Sequence, residues 1–172
     1  MRRGFWLVAF VVLAVASVGS PAQAAGSVDP LNAQVSGAYS GRQNFAFGEA
    51  GCSFVHQTFS GDYDASRGPG GSLSIDSCVS FGSGSLFDVR GTFTLTTSSG
   101  AVLSGTVEGS TDGGVPASLD LVLTVTSGTR QFRAVSGTIV LSGSFTNDVG
   151  VLGRGPVNAT LVGHLVRQRV AA

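Results

Sequence analysis

The sequence has no lysine and little charge of either sign: ten arginines are matched by ten acidic residues over 172 positions. Two of those arginines, Arg2 and Arg3, lie at the extreme N-terminus, so the rest of the chain carries a small acidic excess. A protein that binds a phosphate backbone needs clustered positive charge, which this chain lacks. We therefore expect no nucleic-acid partner.

Cysteine is also scarce, and the two cysteines, Cys52 and Cys78, lie too far apart for a CxxC redox motif. A zinc site would need further cysteine or histidine ligands close by, and the sequence offers only His56 and His164 elsewhere. We expect no metal and no cofactor. An isolated cysteine pair in an exported chain is typical of a disulfide, so we predict a Cys52–Cys78 bond.

Helical periodicity is missing as well, since no stretch keeps a 3.6-residue apolar repeat for ten residues. Short runs rich in Thr, Val and Phe are instead broken by Gly, Ser, Asn and Asp, and glycine occurs 26 times. This pattern is typical of strands and tight turns and predicts an all-β domain.

The N-terminus resembles a secretory signal peptide. Two arginines precede a twelve-residue apolar run at 5–16, and Ala22-Gln23-Ala24 provides the small residues of a cleavage site. A membrane anchor needs about 20 apolar residues, so we expect cleavage after Ala24, secretion, and no membrane span afterwards. The Arg2-Arg3 pair leaves twin-arginine export open as an alternative to the general route. We expect residues 25–35 to be a flexible lead-in and 36–172 to form one domain.

Alternation of apolar and polar residues runs through most of the domain. In 118–126, for example, Leu119, Leu121, Leu123 and Val125 share one face. We predict about eight strands joined by hairpins, forming a single antiparallel up-and-down barrel. A two-sheet β-sandwich is the alternative. The predicted strands span residues 36–47, 53–65, 71–80, 86–97, 101–109, 117–127, 132–145 and 157–168.

The same alternation sorts the functional candidates by face. Tyr63 and Gln57 fall on the inner face, where Tyr39 can join them, and both histidines fall on the outer face. Inner polar groups either pack with their hydrogen bonds satisfied or point into a ligand cavity, and both alternatives stay open. Glycines at inner positions, such as Gly143, either relieve crowding where strands bend or leave room for a ligand.

One hairpin carries a family resemblance. The stretch SGTRQFRAVSGTIVLSG, residues 127–143, resembles the glycine-rich hairpin motif of dirigent-like and allene-oxide-cyclase-like barrels. Arg130 stands where that motif usually has glycine. The whole chain also resembles small secreted actinobacterial proteins without an assigned role. The resemblance implies a calycin-like barrel and a cyclase-type enzyme acting in its cavity. The positions that match are Gly128, Phe132, Ala134, Gly137 and Gly143.

These observations favour a secreted, non-enzymatic binding or structural module. Its expected partner is a small apolar ligand inside the barrel, for which Tyr63, Gln57 and Tyr39 are the candidate contacts, or a partner outside the cell. A dirigent- or cyclase-like enzyme is one alternative. A protein-interaction module that uses the Thr/Ser-rich outer face is the other.

Overall fold

The chain forms a closed barrel of eight antiparallel strands, each hydrogen-bonded to the next, with β1 pairing β8 to complete the circle. The computed structural model describes residues 27–43, 52, 54–149 and 151–167. The predicted signal peptide at 1–24 lies outside these residues. The strands are β1 (Ser27–Gln43), β2 (Val55–Ala65), β3 (Gly71–Phe81), β4 (Leu86–Thr97), β5 (Val102–Asp112), β6 (Ala117–Gly128), β7 (Val135–Phe145) and β8 (Gly153–Arg167). The barrel prediction is confirmed, and the sandwich alternative is excluded.

The interior of the barrel is the hydrophobic core. Burial alternates along the strands, and β6 shows it most regularly, with every second residue from Ala117 to Val125 buried. Because side chains of a strand point alternately to its two faces, one face of each strand fills the barrel and the other meets water. The largest fully buried side chains are Phe93, Phe145, Leu73, Leu95, Leu103, Leu123, Ile139, Leu141 and Leu161.

Neighbouring backbone lies close against the glycines on the inner face of the barrel. Gly143 pairs with Ala159, and a Cβ at Gly143 would overlap the Asn158 carbonyl oxygen and the Ala159 Cα. Gly37 and Gly61 face each other in the same way, each against the other's Cα. The space at these positions is taken by neighbouring backbone. These glycines therefore let strongly coiled strands approach each other, and they do not open room for a ligand.

A correction concerns residues 25–35, predicted as a flexible lead-in. From Ser27 onward this segment is strand, because its first half pairs with β8 from Ser27↔Arg167 inward. Its alternation is hidden by polar outward residues, while Ala33 and Val35 are buried. Pro30 precedes Ala33, where pairing with β2 begins, so this stretch of β1 has a neighbour on one side only and tolerates a missing N–H.

A second correction concerns the hairpin that joins β6 and β7, because β7 begins at Val135 and not at residue 132. Residues Arg130–Phe132 form a 3₁₀ turn first. Arg130 and Ala134 both adopt positive φ, 52° and 60°, which ends the extended conformation on each side of the turn. Phe132 is half-buried and packs against the core.

Candidate functional site

Tyr39 and Gln57 meet inside the barrel and form a chain of hydrogen bonds. The Tyr39 hydroxyl donates to the Val151 carbonyl and accepts from the Gln57 side-chain amide at 3.2 Å. The Ser77 hydroxyl donates to Gln57 Oε1 at 3.4 Å. Every member of this chain is buried, and the Tyr39 ring stacks on Phe145 with centroids 4.1 Å apart. Tyr39, Gln57 and Ser77 therefore find hydrogen-bond partners within the core.

Burial also sets the protonation of Tyr39. Loss of water around the hydroxyl raises the Tyr39 pKa to about 12, against a smaller opposing effect of the hydrogen bond from Gln57. The hydroxyl therefore stays protonated at neutral pH, where it can donate to Val151. Its role there is that of a core hydrogen-bond donor.

The cavity beside this hydrogen-bonded chain is small, at about 20 Å³. That volume is close to the space of one water molecule, whereas pockets for small organic ligands occupy several hundred cubic ångströms. An apolar ligand does not fit beside Tyr39 and Gln57. The cavity is lined by Tyr39, Gln57, Phe59, Ile75, Ser77, Leu119, Leu121, Phe145 and Val157.

Tyr63 does not join this group. It is buried on the same face of β2 as Gln57, but it lies six residues further along the strand, a separation of about 20 Å at 3.3 Å per residue. Burial raises the pKa of Tyr63 as well. The predicted set of three inner polar residues is thus divided between the two ends of the barrel.

The predicted disulfide is confirmed: Cys52 and Cys78 are bonded, with their Cα atoms 4.9 Å apart. Cys78 lies on β3 in register between His56 of β2 and Arg90 of β4. These neighbours point outward, so the bond fastens the segment before β2 to the outside of the barrel wall.

A shallow, solvent-open surface lies on the outside of the barrel, across β8, β1, β2 and β3. It consists of three depressions of about 670, 260 and 540 Å³, and the first shares residues with each of the other two. We call this surface the outer trough. Its outward-facing side chains are Ser36, Ala38, Ser40, Arg42, His56, Thr58, Ser60, Asp62, Ser72, Ser74, Arg154 and Pro156.

Strand register explains why the surface is concave there. At the centre of the trough Ala38 lies opposite Pro156 on one side and Ser60 on the other, and Ser60 lies opposite Ser74. Four strands thus place small side chains next to each other. Larger side chains, including Arg42 and Arg154, stand at one end of this row and form a wall.

That end of the trough is basic. Arg42 lies opposite His56, and Arg154 lies opposite Ser40. Asp76 is hydrogen-bonded to His56, with 2.9 Å between Asp76 Oδ1 and His56 Nε2. No described carboxylate forms an ion pair with Arg42 or Arg154. The guanidinium groups of Arg42 and Arg154 are therefore available to bind an anion from solution.

The same end contains a histidine, a carboxylate and hydroxyls, which are the residue types of an acid–base site. No hydrogen bond joins His56 to the hydroxyl of Ser40 or Thr58, however, so the described side chains do not form an activated nucleophile. The arrangement is suited to binding through charge and hydrogen bonds.

The trough was not predicted from the sequence, although its members were visible there. Alternation places Ser36, Ala38 and Ser40 on one face of a strand, and it places His56 outward, as the structure confirms. The missing information was the register in which β1 pairs with β8, which places Ser40 opposite Arg154 over 114 positions. Local patterns cannot supply a contact of that separation.

Comparison of the chain with protein-family models, with curated proteins and with solved structures finds no match in any of the three. Across the described ranges no group of three or more His, Cys, Asp or Glu side chains is placed to hold a metal ion. Within the same ranges no helix is long and apolar enough to cross a membrane. The outer trough is therefore described by its own geometry alone.

Proposed function

We propose that this protein is a secreted, non-enzymatic binding module that holds its ligand in the outer trough. One observation carries the proposal: the enclosed cavity beside Tyr39 and Gln57 measures about 20 Å³, whereas the trough has a shallow, solvent-open depression of about 670 Å³. Space for a ligand is on the wall of the barrel. The partner outside the cell expected from the sequence is thus favoured over a small apolar ligand in the interior.

Secretion is supported by two independent features. The first 24 residues have the composition of a signal peptide. The Cys52–Cys78 disulfide is typical of compartments that are oxidising. N-terminal sequencing of the protein recovered from culture medium is expected to begin at Ala25. Recovery of the whole chain, starting at Met1, from the cell pellet alone would contradict the localisation.

The resemblance of 127–143 to dirigent-like and cyclase-like barrels stays a prediction. The closed barrel and the 3₁₀ turn at Arg130–Phe132 are compatible with it. Such an enzyme would shape a reactive intermediate within its barrel, and the small cavity beside Tyr39 gives no support for that chemistry. Binding is accordingly the function that we propose.

The proposal is tested by blocking the centre of the trough. Ser60→Trp places an indole where Ser60 faces Ala38, and Thr124→Trp places the same group on the exposed outer face of β6, away from the trough. Both variants and the wild type are applied to an array of oligosaccharides and peptides. We expect the wild type to bind at least one probe, Ser60→Trp to lose at least tenfold in affinity, and Thr124→Trp to retain binding.

Circular dichroism and thermal unfolding verify that both tryptophan variants are folded before the arrays are compared. Binding that survives in Ser60→Trp at wild-type strength would place the ligand elsewhere and overturn the proposal. A wild type that binds no probe on the array would overturn it as well.

A further inference from the structure

We propose that the ligand of the outer trough is an oligosaccharide that carries one acidic sugar, whose carboxylate or sulfate binds between Arg42 and Arg154 while its neutral sugars lie over the hydroxyl-lined centre. This inference rests on the proposed function and names the class of ligand. It follows from three properties of the trough: its basic end, the serine and threonine hydroxyls along its centre, and its acidic far end.

The basic end fits a single acidic group. Arg42 and Arg154 line the same depression, and both are exposed and without an ion-pair partner among the described residues. A guanidinium group presents paired N–H donors that match the two oxygens of a carboxylate or sulfate. His56 is already paired with Asp76, so it contributes little to the attraction of the acidic group. The hydroxyls of Ser40 and Thr58 lie alongside as further donors.

The centre of the trough fits neutral sugars. From Arg42 to Ser36 the floor extends six residues along β1, about 20 Å. Serine and threonine side chains line it, and a hydroxyl both donates and accepts a hydrogen bond. A sugar ring offers hydroxyls of the same kind around its edge. The hydroxyl groups of the trough can therefore exchange hydrogen bonds with the hydroxyl groups of neutral sugars along its length.

The far end of the trough limits the ligand's charge. Asp62 lies there, opposite Ser36 and Ser72. A polymer with an acidic group on every unit would bring like charge against this carboxylate, which is unfavourable. A ligand whose acidic group is followed by neutral units avoids that repulsion. The charge order along β1 and β2 therefore selects a sparsely charged chain.

A peptide is the competing class of ligand, and the fold disfavours it. An extended peptide gains affinity mainly by adding a strand to a free sheet edge. Along β1 from Ala33 to Gln43 both neighbours, β2 and β8, are in place for most of the length, so the trough exposes no such edge.

The test uses calorimetric titration of defined oligosaccharides into the folded protein. The acidic probe is 3′-sialyllactose, in which one acidic sugar is joined to two neutral sugars, and the neutral probe is the same trisaccharide with its carboxylate reduced. 3′-Sulfolactose, which carries one sulfate and no carboxylate, compares sulfate with carboxylate. We expect at least tenfold tighter binding of an acidic probe than of the neutral one at low salt, and a smaller difference in 0.5 M salt.

Variants assign that difference to the two arginines. Arg42→Gln and Arg154→Gln should each reduce binding of the acidic probe severalfold more than they reduce binding of the neutral probe. Arg90→Gln, an exposed arginine on β4 outside the trough, is the matched control and should change neither. Ser60→Trp should abolish binding of both probes.

The outcomes separate the two proposals. Equal binding of acidic and neutral probes would overturn the acidic sugar and leave the trough as a binding site. Tighter binding of an oligoglutamate peptide than of any saccharide would overturn the saccharide class. A loss of binding in Arg90→Gln as large as in Arg42→Gln would reduce the effect to general charge attraction and overturn the site. No binding of any probe would overturn the proposed function too.

Discussion

Tyr39 shows how one residue can look functional in the sequence and be structural in the fold. Its hydroxyl lies in a buried chain from Ser77 through Gln57 to the Val151 carbonyl. An inner tyrosine beside an inner glutamine suggested a ligand contact. Alternation could predict the face, but only the tertiary contacts decide whether the hydroxyl meets a ligand or a carbonyl.

Tyr39→Phe is expected to lower the free energy of unfolding at pH 7 by roughly 1–3 kcal/mol, because the Val151 carbonyl and the Gln57 amide lose a buried partner. The wild type should also lose stability as pH rises from about 10 to about 12, since its tyrosine ionises first in the unfolded chain. The variant should lose less over that interval. Urea unfolding at pH 8 and pH 11 measures both effects.

Tyr63→Phe serves as the comparison, because the Tyr63 pKa is raised by burial but its hydroxyl lies outside the Tyr39–Gln57 chain. Its cost at pH 7 should be the smaller of the two. Identical stability of Tyr39→Phe and the wild type at pH 8 would show that the hydroxyl contributes nothing to the core.

Gly143 gives a second prediction for a single residue. Gly143→Ala forces a Cβ against the backbone of Asn158 and Ala159, so strands β7 and β8 must move apart. We expect a loss of about 1–3 kcal/mol in unfolding free energy, as for other overpacked sites. Thr138→Ala, on the exposed face of the same strand, should change it by less than about 0.5 kcal/mol. An unchanged stability of Gly143→Ala would indicate that the position does hold spare room.

Among the elements, β1 differs most from its prediction. The pattern of Leu31, Ala33 and Val35 is strand-like, but Pro30 and the surrounding polar residues obscured it. The alternation in β4 and β6 was enough to predict them. Period-two patterns therefore give most of the barrel, and they fail where proline and partial pairing interrupt a strand.

The strand character of residues 27–35 is tested by two neighbouring substitutions. Val35→Asp buries a carboxylate in the core and should leave the protein unfolded or several kcal/mol less stable. Gln34→Asp introduces the same group on the exposed face and should be tolerated. Circular dichroism and urea unfolding compare them. Equal tolerance of both variants would return this segment to the flexible lead-in predicted from the sequence.

For the molecule as a whole, the disulfide adds stability beyond that of the barrel. Cys52 and Cys78 are 26 residues apart, and closing a loop of that size contributes roughly 3 kcal/mol through the unfolded chain. The pairing was predictable because only two cysteines exist. Cys78 lies on the outer wall beside His56, which in turn lies opposite Arg42. This position depends on strand register and was not predictable from the sequence.

Replacing both cysteines by serine should lower the melting temperature by about 6–12 °C, given about 2–4 °C for each kcal/mol in a chain of this length. Differential scanning calorimetry measures the change, and the wild type with reductant provides the matched comparison. Thiol labelling of the unfolded, unreduced wild type should modify neither cysteine. Two labelled cysteines would contradict the bond.

The pairing of β1 with β8 has a consequence for how the protein is made. Ser27 and Arg167 are partners although 140 positions separate them, so the first strand must wait for the last. A chain without β8 forms a sheet with two edge strands, each of which lacks a partner on one side. Contacts between distant segments also form slowly. The barrel can therefore close only after β8 has been made, and until then both edges of the partial sheet can pair with other chains.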